Sequence, residues 1–351
     1  MRLAFIQDHP INESLPLTDL MAACAEAGHY VEGFIEANEY RFLHSVRACR
    51  PELLVAPVDI GARPWAIDVI GRLRTFLPPG ARVIGCGSDP TTNPGGIAGL
   101  GVDWAVTGEA EIPFLALLER IAAGEDARGL PGVWVRGDEG APIAAGRPED
   151  LDALPLPLRV LYLKQPRGPL VRNLRMNVTR GTLADGDERR KSPERFVEEL
   201  RYLAKRRPLG SLHFTDEAFA EDDRWLGRFL ETYERYARLP FTCKGPRGSI
   251  DKAKMEALDA AGCRGFVLTI RAGDSLNQLS DLVERIHRIG WFFATTCVAG
   301  TTEEAERLLE WNRLLGARHA RLRVAPGATD RALLAMVPWF PLLGRADRWG
   351  A

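Results

Sequence analysis

The feature that most constrains the fold is a regular alternation of short apolar segments with longer amphipathic segments over residues 174–324. This rhythm is typical of buried strands joined by helices. A closed eight-fold barrel would need about 250 residues, so we predict a partial (β/α)6 barrel within residues 171–340. The predicted strands are 174–179, 211–215, 241–243, 265–270, 291–298 and 319–324, and the predicted helices are 193–206, 222–237, 251–261, 278–289 and 302–315.

The first part of the chain shows the same alternation and predicts a separate Rossmann-like domain over residues 1–145, because helices between strands imply a parallel sheet covered on both faces. Residues 130–136 and 141–145 predict a small hairpin. The proline-rich residues 146–170 predict a linker. The predicted strands are 3–7, 53–57, 82–87 and 104–107, and the predicted helices are 17–27, 66–76 and 112–123.

Ligands of parallel sheets bind beyond the carboxyl ends of the strands, so the residues at those ends of the first domain are candidate binding residues. Glycines there either let the backbone approach a ligand or simply end a strand. Glu109 and Glu111 either meet a ligand or cap the helix that starts near Pro113. The candidates are Asp8, His9, Val58, Gly85, Gly87, Ser88, Gly108 and Glu109.

In the second domain, Asp216 and Glu217 follow the predicted strand 211–215. Carboxylates at the ends of barrel strands face the active site, which makes this pair a candidate for acid–base catalysis. The alternative is that the pair caps the helix predicted at 222–237.

Other reactive side chains also stand near predicted strand ends. Arg247, Arg271 and Arg323 are candidates for holding a carboxylate or phosphate of a substrate, with surface ion pairs as the alternative. Cys243 and Cys297 are either small core residues or thiolate nucleophiles.

Composition argues against several functions. The formal net charge is -1 and the Lys and Arg residues are spread along the chain, so no nucleic-acid partner is expected. The short basic run 189–191 is either solvated surface or a contact for an anionic ligand. No apolar run reaches the roughly 20 residues of a membrane span, and the N-terminus lacks a signal pattern. The six cysteines contain no C-x-x-C pair, which predicts a cytoplasmic chain with free thiols and no clustered metal site.

A series of short motifs over about residues 1–330 resembles the cobalamin-dependent radical S-adenosylmethionine (SAM) enzymes. Each motif is weak alone, and their order along both domains carries the resemblance. They are Ala27-Gly-His29, Arg50-Pro-Glu-Leu-Leu-Val55, Val83-Ile-Gly-Cys-Gly87, Gly101-Val-Asp-Trp104, Thr107-Gly-Glu-Ala-Glu111, Lys191-Ser-Pro-Glu194, His213-Phe-Thr-Asp-Glu217, Ala261-Gly-Cys-Arg-Gly265 and Pro326-Gly-Ala-Thr329.

The resemblance implies that the first domain binds cobalamin through the eight candidates above and that the second is a radical-SAM-like barrel. In that family, a C-x-x-x-C-x-x-C loop holds an iron–sulfur cluster between the first barrel strand and its helix. Residues 182–190 at this place contain no cysteine, so we expect no cluster. Arg271 also stands where the family has an acid, which weakens an inherited SAM site.

Two functions follow from the resemblance. The first is a cobalamin-dependent methyltransferase-type enzyme that works without radical chemistry, with SAM as a candidate donor and a small molecule as acceptor. The second is a non-catalytic cobalamin carrier or sensor, or a pseudoenzyme partner of an intact radical SAM enzyme. The missing cysteines favour the second, and the regular barrel favours the first.

Overall fold

The computed structural model describes residues 1–9, 14–159, 162, 173–181, 186, 188–206 and 208–324. The predicted motif at 326–329, residues 182–185 and 187 of the cysteine-free segment, and most of 160–172 in the predicted linker lie outside the described residues. The chain forms two compact units, Met1–Val171 and Arg172–Ala351. Leu151 and Tyr162 of the predicted linker are buried, and Tyr162 packs in a core of the first unit.

The first unit is built on a six-stranded sheet in the order β2-β1-β3-β4-β5-β6. All neighbouring strands run parallel except β6, which is antiparallel to β5. This is a doubly wound order, and it changes direction between β1 and β3. The strands are β1 Arg2–Gln7, β2 Tyr30–Ile35, β3 Leu53–Pro57, β4 Arg82–Cys86, β5 Trp104–Val106 and β6 Val133–Val135. The helices are α1 Leu15–Glu26, α2 Phe42–Ala48, α3 Arg63–Arg74, α4 Ser88–Thr92 and α5 Glu111–Ala123.

Both faces of this sheet are covered, which explains why its central strands are almost uniformly apolar. Phe5 of β1 packs in one core with α1 and α5, and Ile6 packs in a second core with α2 and α3. The structure therefore confirms the α/β domain that the alternation predicts. The alternation missed β2, and the predicted hairpin is wrong: β6 pairs with β5, and residues 141–145 form no strand.

The second unit contains a six-stranded, fully parallel sheet in the order β14-β13-β12-β11-β10-β7. All six predicted strands are confirmed within a few residues, and so are the five helices. The strands are β7 Asn173–Met176, β10 Ser211–Phe214, β11 Phe241–Pro246, β12 Cys263–Arg271, β13 Phe292–Ala299 and β14 Ala320–Val324; β8 Thr179–Arg180 and β9 Arg189–Arg190 form a separate antiparallel pair. The helices are α6 Pro193–Ala204, α7 Asp223–Tyr236, α8 Lys252–Ala260, α9 Leu276–Ile289 and α10 Thr302–Leu314.

Local sequence fixes the starts of these helices. Ser192, Asp222, Asp251 and Thr301 each accept a hydrogen bond from a backbone N–H in the first turn of the helix that follows, which satisfies one otherwise unpaired donor. Within the described ranges, no helix combines the length and the apolar character that crossing a membrane requires.

Candidate functional site

The carboxyl ends of β1, β3, β4 and β5 meet at one edge of the first sheet, because these strands are parallel neighbours. Asp8 is half-buried and His9 is exposed just beyond β1. The Asp8 carboxylate accepts a hydrogen bond from the His9 N–H at 2.6 Å, and the Asp8 carbonyl accepts one from Ala37 at 2.9 Å. The topological change between β1 and β3 makes this edge the expected ligand crevice of the unit.

The loops after β3 and β4 are tied to each other. The Val58 N–H donates to the Cys86 carbonyl at 2.6 Å, and the Val58 carbonyl accepts from the Asp89 N–H at 2.9 Å. The Ser88 hydroxyl donates to the carboxylate of Asp59 at 3.0 Å. Val58 itself is fully buried, so its backbone shapes the edge while its side chain belongs to the core.

The three candidate glycines differ in what surrounds them. A Cβ at Gly85, inside β4, would lie 3.2 Å from Val102 Cγ1, and a Cβ at Gly87 would lie 2.9 Å from the Val58 carbonyl oxygen. At both positions the close neighbour is the protein itself. Gly108, with φ +76°, has no described atom within 4 Å of an added Cβ, and its N–H donates to the Thr91 hydroxyl at 2.9 Å. Of the three glycines, Gly108 is therefore the one that faces open space among the described residues.

Glu109 follows Gly108 and is half-buried, and Glu111 is buried in the first turn of α5. Ala110 occupies the N-cap position, with no side-chain cap. A cap from either glutamate is therefore not observed, although the carboxylate of Glu111 stands in the turn that the helix dipole favours.

The two faces of the second sheet are chemically different. Alternate residues such as Phe214, Phe266 and Leu322 pack with the helices in one apolar core. Their sequence neighbours occupy the opposite face, since side chains alternate along a strand. We call this opposite face the concave face; by strand register, its polar residues include Asn173, Arg175, Ser211, His213, Thr242, Lys244, Thr269, Arg271, Thr296, Arg321 and Arg323.

Glu217 contacts two cations of this face. Its Oε1 accepts a hydrogen bond from Lys244 Nζ at 2.9 Å and forms an ion pair with Arg323. In a flat sheet, β10 and β14 would lie four strand spacings, or about 19 Å, apart. The ion pair between residues that follow β10 and end β14 therefore shows that the sheet curls strongly, as a half-barrel does.

Lys244 is buried, with 8% of its surface exposed. Burial lowers its pKa, Glu217 opposes that change, and Arg323 and Arg321 lower the pKa further. The two arginines therefore stand close enough to Lys244 for their charges to act on it.

His213 lies on the same face, in register with Arg175 on β7 and Thr242 on β11. Its Nδ1 and the Thr242 hydroxyl oxygen share a hydrogen bond of 2.6 Å. Burial, followed by the charges of Arg175, Arg321 and Lys244, lowers the pKa of His213 to about 4. The imidazole is thus neutral at pH 7 and adds no charge to the cations around it.

Asp216 and Glu217 are adjacent in sequence but have different environments. Oδ1 of Asp216 accepts hydrogen bonds from the N–H groups of Val178 and Thr179 at 2.9 and 2.6 Å and from the Thr179 hydroxyl at 2.7 Å. Burial raises the pKa of Asp216. The predicted alternative, a cap for the helix at 222–237, is wrong for both, because Asp222 caps α7.

Among the described residues, two buried oxygens near this face have no hydrogen-bond partner. They are Oδ2 of Asp216 and Oγ1 of Thr269. Both residues are 1% exposed. An unpaired buried polar atom is costly, so each of these marks a place where a ligand atom could be accommodated.

The remaining candidates are placed as follows. Arg271 ends β12 in register with Val298 and is exposed, whereas Arg247 lies beyond β11 with its Nε 3.4 Å from the Gln278 carbonyl of α9. Cys243 and Cys297 are fully buried in the core, and burial contributes to raising the pKa of both thiols, so both fit the core alternative.

The cysteine-free segment 182–190 is anchored where it is described. The pair β8–β9 closes its base. Arg190 forms a buried ion pair with Glu188 and lies over the Trp225 ring, 5.0 Å from its centroid. Lys191 Nζ donates to the buried Glu199 at 2.9 Å. The prediction that run 189–191 is solvated surface is therefore wrong for Arg190 and Lys191.

None of the six cysteines belongs to the described part of this segment; all six are free and buried elsewhere. Within the described ranges, His, Cys, Asp and Glu side chains form no group of three that could hold a metal ion.

Sequence reasoning missed the mid-strand members of the concave face, notably Lys244, Arg175, Arg321 and Thr269. A signal for them exists. The strand sequences Asn173-Leu-Arg-Met176, Ser211-Leu-His-Phe214 and Ala320-Arg-Leu-Arg-Val324 alternate polar and apolar residues, which is typical of a sheet with one polar face.

Comparison with solved structures finds the same fold over nearly the whole chain. The radical SAM methyltransferase TsrM from Kitasatospora setae, with cobalamin and a 4Fe-4S cluster bound, matches with a TM-score of 0.68 and 18% identity over 92% of this chain and 72% of that chain. TsrM with its tryptophan substrate and a SAM analogue bound matches with a TM-score of 0.68 and 19% identity over the same shares. No protein-family model and no curated protein matches this chain. At this identity the likeness shows the fold: a mixed α/β chain with a parallel, curled half-barrel sheet.

Proposed function

We propose that this chain is a cobalamin-binding enzyme of the methyltransferase type that works without an iron–sulfur cluster, with SAM as a candidate donor. The observation that carries the proposal is the fold. A doubly wound unit followed by a curled six-stranded parallel sheet matches, over 92% of the chain, a methyltransferase whose solved structure contains cobalamin.

Open space at the carboxyl edge of the first sheet supports a ligand there. Among the described residues, an added Cβ at Gly108 would meet nothing within 4 Å. The exposed His9 follows β1, and the exposed Ser88 follows β4, which is the neighbour of β5. In this proposal, cobalamin is held by residues at the ends of β1, β3, β4 and β5, with Gly85 and Gly87 keeping the edge in shape. The group consists of Asp8, His9, Val58, Gly85, Gly87, Ser88, Gly108 and Glu109.

When bound, cobalamin supplies a cobalt centre that carries a methyl group, so that transfer needs no radical. The chain's own residues would hold and prepare the acceptor. Glu217 and Asp216 are the proposed acid–base groups, and the raised pKa of Asp216 keeps a proton available at higher pH than an ordinary aspartate does. Arg323, Arg271 and Arg247 are the proposed substrate contacts.

The cysteine-free sequence at 182–190 supports a chemistry without a cluster. Anaerobic reconstitution with iron and sulfide tests this part directly. We expect far less than four irons per chain, and a stoichiometric four-iron cluster would overturn it.

The decisive experiment is the visible spectrum of the purified chain after incubation with cobalamin and removal of free cofactor. We expect corrin bands to remain with the protein at about one per chain. Gly108→Phe should abolish retention by filling the open edge. Gly124→Phe is the matched control, because Gly124 also has a positive φ and open surroundings but follows the C-terminus of α5.

Absence of corrin bands from the wild-type protein would reject the proposal. If corrin is retained, formation of S-adenosylhomocysteine from SAM under reducing conditions separates an enzyme from a carrier. Retention without turnover of SAM or another methyl donor would favour the carrier or pseudoenzyme alternative.

A further inference from the structure

We propose that the concave face of the second sheet binds a small molecule through an oxyanion of more than one negative charge, a phosphoryl or dicarboxylate group, held by Lys244, Arg321 and Arg323. The inference rests on the proposed function only where it identifies this molecule as the methyl acceptor. The binding of the anion itself requires neither cobalamin nor turnover.

The charge of this face favours an anion. Lys244 and Arg323 share the carboxylate of Glu217, and Arg175 and Arg321 lie on the same face by strand register. Lys244 is buried, and a cation held away from water is destabilised further by positive charges close to it. A bound anion would relieve that repulsion, and guanidinium groups match oxyanions geometrically.

Glu217 marks the point where a ligand oxyanion would bind. Its Oε1 lies between Lys244 Nζ and the guanidinium of Arg323, so an oxyanion already occupies this point. A ligand oxyanion would compete with the Glu217 carboxylate for the same two cations. Binding would then release Glu217, which could act on the ligand as a base.

The hydroxyl of Thr269 supports a ligand on this face independently of charge. Thr269 lies on the same face, in register with Thr296 and, through it, with Arg321. It is 1% exposed, and its hydroxyl has no hydrogen-bond partner among the described residues. A hydroxyl can donate to an oxyanion, so this buried group gains its missing partner when the ligand binds.

Titration calorimetry of the full chain with inorganic phosphate and with succinate tests the proposal, with acetate as the monovalent comparison. We expect phosphate or succinate to bind, and acetate to bind at least about tenfold more weakly, since it offers a single charge. Lys244→Met and Arg321→Met should each weaken binding about tenfold, the effect of losing one charge-assisted hydrogen bond.

Glu217→Gln should have the opposite effect and tighten binding about tenfold, because it removes the competing charge while keeping the side-chain shape. Arg288→Met is the matched control. Arg288 lies on α9, where its exposed guanidinium pairs with Glu284 at 2.6 Å, and its removal should leave binding unchanged. Near-ultraviolet circular dichroism checks that each variant is folded; Arg321 is exposed, so its variant tests the site even if Lys244→Met fails to fold.

Two results would overturn the proposal. One is the absence of phosphate and succinate binding by the folded wild-type chain. The other is a Glu217→Gln variant that binds as weakly as Lys244→Met, since the carboxylate would then support the site rather than compete for it. A chain that retains corrin but binds neither anion would refute this inference alone, and a chain that binds the anion but not corrin would refute the proposed function alone.

Discussion

The candidate ligand site of the first sheet lies at its strand ends and that of the second on its concave face, and the two sites differ in how their polar groups are satisfied. At the first sheet, Asp59 accepts from Ser88, and Thr91 accepts from the Gly108 N–H. At the second, Lys244 and Arg323 share the carboxylate of Glu217, and Thr269 Oγ1 has no partner among the described residues.

This difference indicates two modes of binding. The first edge is set by backbone conformation and close internal contacts, so its ligand is selected by shape. The concave face is set by charge, so its ligand is selected by electrostatics and should respond to ionic strength. Substitutions next to or on the charged face should therefore have larger effects than substitutions at the backbone-defined edge.

Replacement of Asp216 should give the largest effect. Asp216→Ala leaves the N–H groups of Val178 and Thr179 and the Thr179 hydroxyl without their buried acceptor. We expect the free energy of unfolding of the second unit to fall by about 4 kcal/mol. Urea unfolding measures this.

Asp216→Asn retains the acceptor oxygen and is the matched control, with less than half of that loss expected. Because burial raises the pKa of Asp216, the folded chain holds this proton more tightly than the unfolded chain. The corresponding stability is present at acid pH and is lost as pH rises through the folded pKa. A loss below about 1 kcal/mol in Asp216→Ala would show that this carboxyl does not hold the strand end.

His213 should give the next largest effect, with the opposite dependence on pH. Its pKa is lowered from 6.5 to about 4 by burial and by Arg175, Arg321 and Lys244. Between these values the unfolded chain takes up a proton that the folded chain does not. Stability should therefore be full above pH 6.5 and fall by up to roughly 3 kcal/mol as pH falls to 4.

His213→Gln isolates this contribution, because glutamine can still bond to Thr242 but does not titrate. The difference between wild type and variant in urea unfolding at pH 7 and pH 4 cancels the opposing effect of Asp216. Equal pH dependence in the two proteins would mean that burial and the neighbouring cations do not lower the pKa of His213 in the folded state.

The architecture of the second unit was predictable because its strands are apolar on the helix side and its helices are amphipathic. β2 was missed because Glu32 and Gly33 interrupt a half-exposed edge strand, so the apolar signal is weak. The antiparallel β6 was placed in a hairpin because a short loop favours local pairing, whereas its partner is β5, about 30 residues earlier in the chain.

The candidate site was only partly predictable. The rule that ligands meet strand ends found Glu217 and Arg323, but their contact spans 106 residues and depends on the curl of the sheet. Lys244 was missed because it lies within β11 rather than at its end. Which charges surround His213, and so the lowering of its pKa, depends on strand register, which composition and local pattern do not determine.

The first edge is tested by its glycines, with a smaller expected effect. Gly87 has φ +117° and ψ −165°, a region that essentially only glycine occupies, and an added Cβ would lie 2.9 Å from the Val58 carbonyl oxygen. Gly87→Ala should therefore lower the free energy of unfolding of the first unit by about 2 kcal/mol. Gly108→Ala has a left-handed φ but no close neighbour, and should cost about 1 kcal/mol.

Both variants add one methyl group at a positive φ, but only Gly87→Ala brings it close to Val58. Comparing the two variants therefore separates backbone strain from steric conflict at the same edge. Urea unfolding of the two proteins under identical conditions gives the comparison. A larger loss for Gly87→Ala supports an edge whose shape depends on the approach of the β4 loop to Val58. Equal losses would show that this loop moves away from Val58 at little cost, and the edge would then adapt to its ligand instead of selecting it by shape.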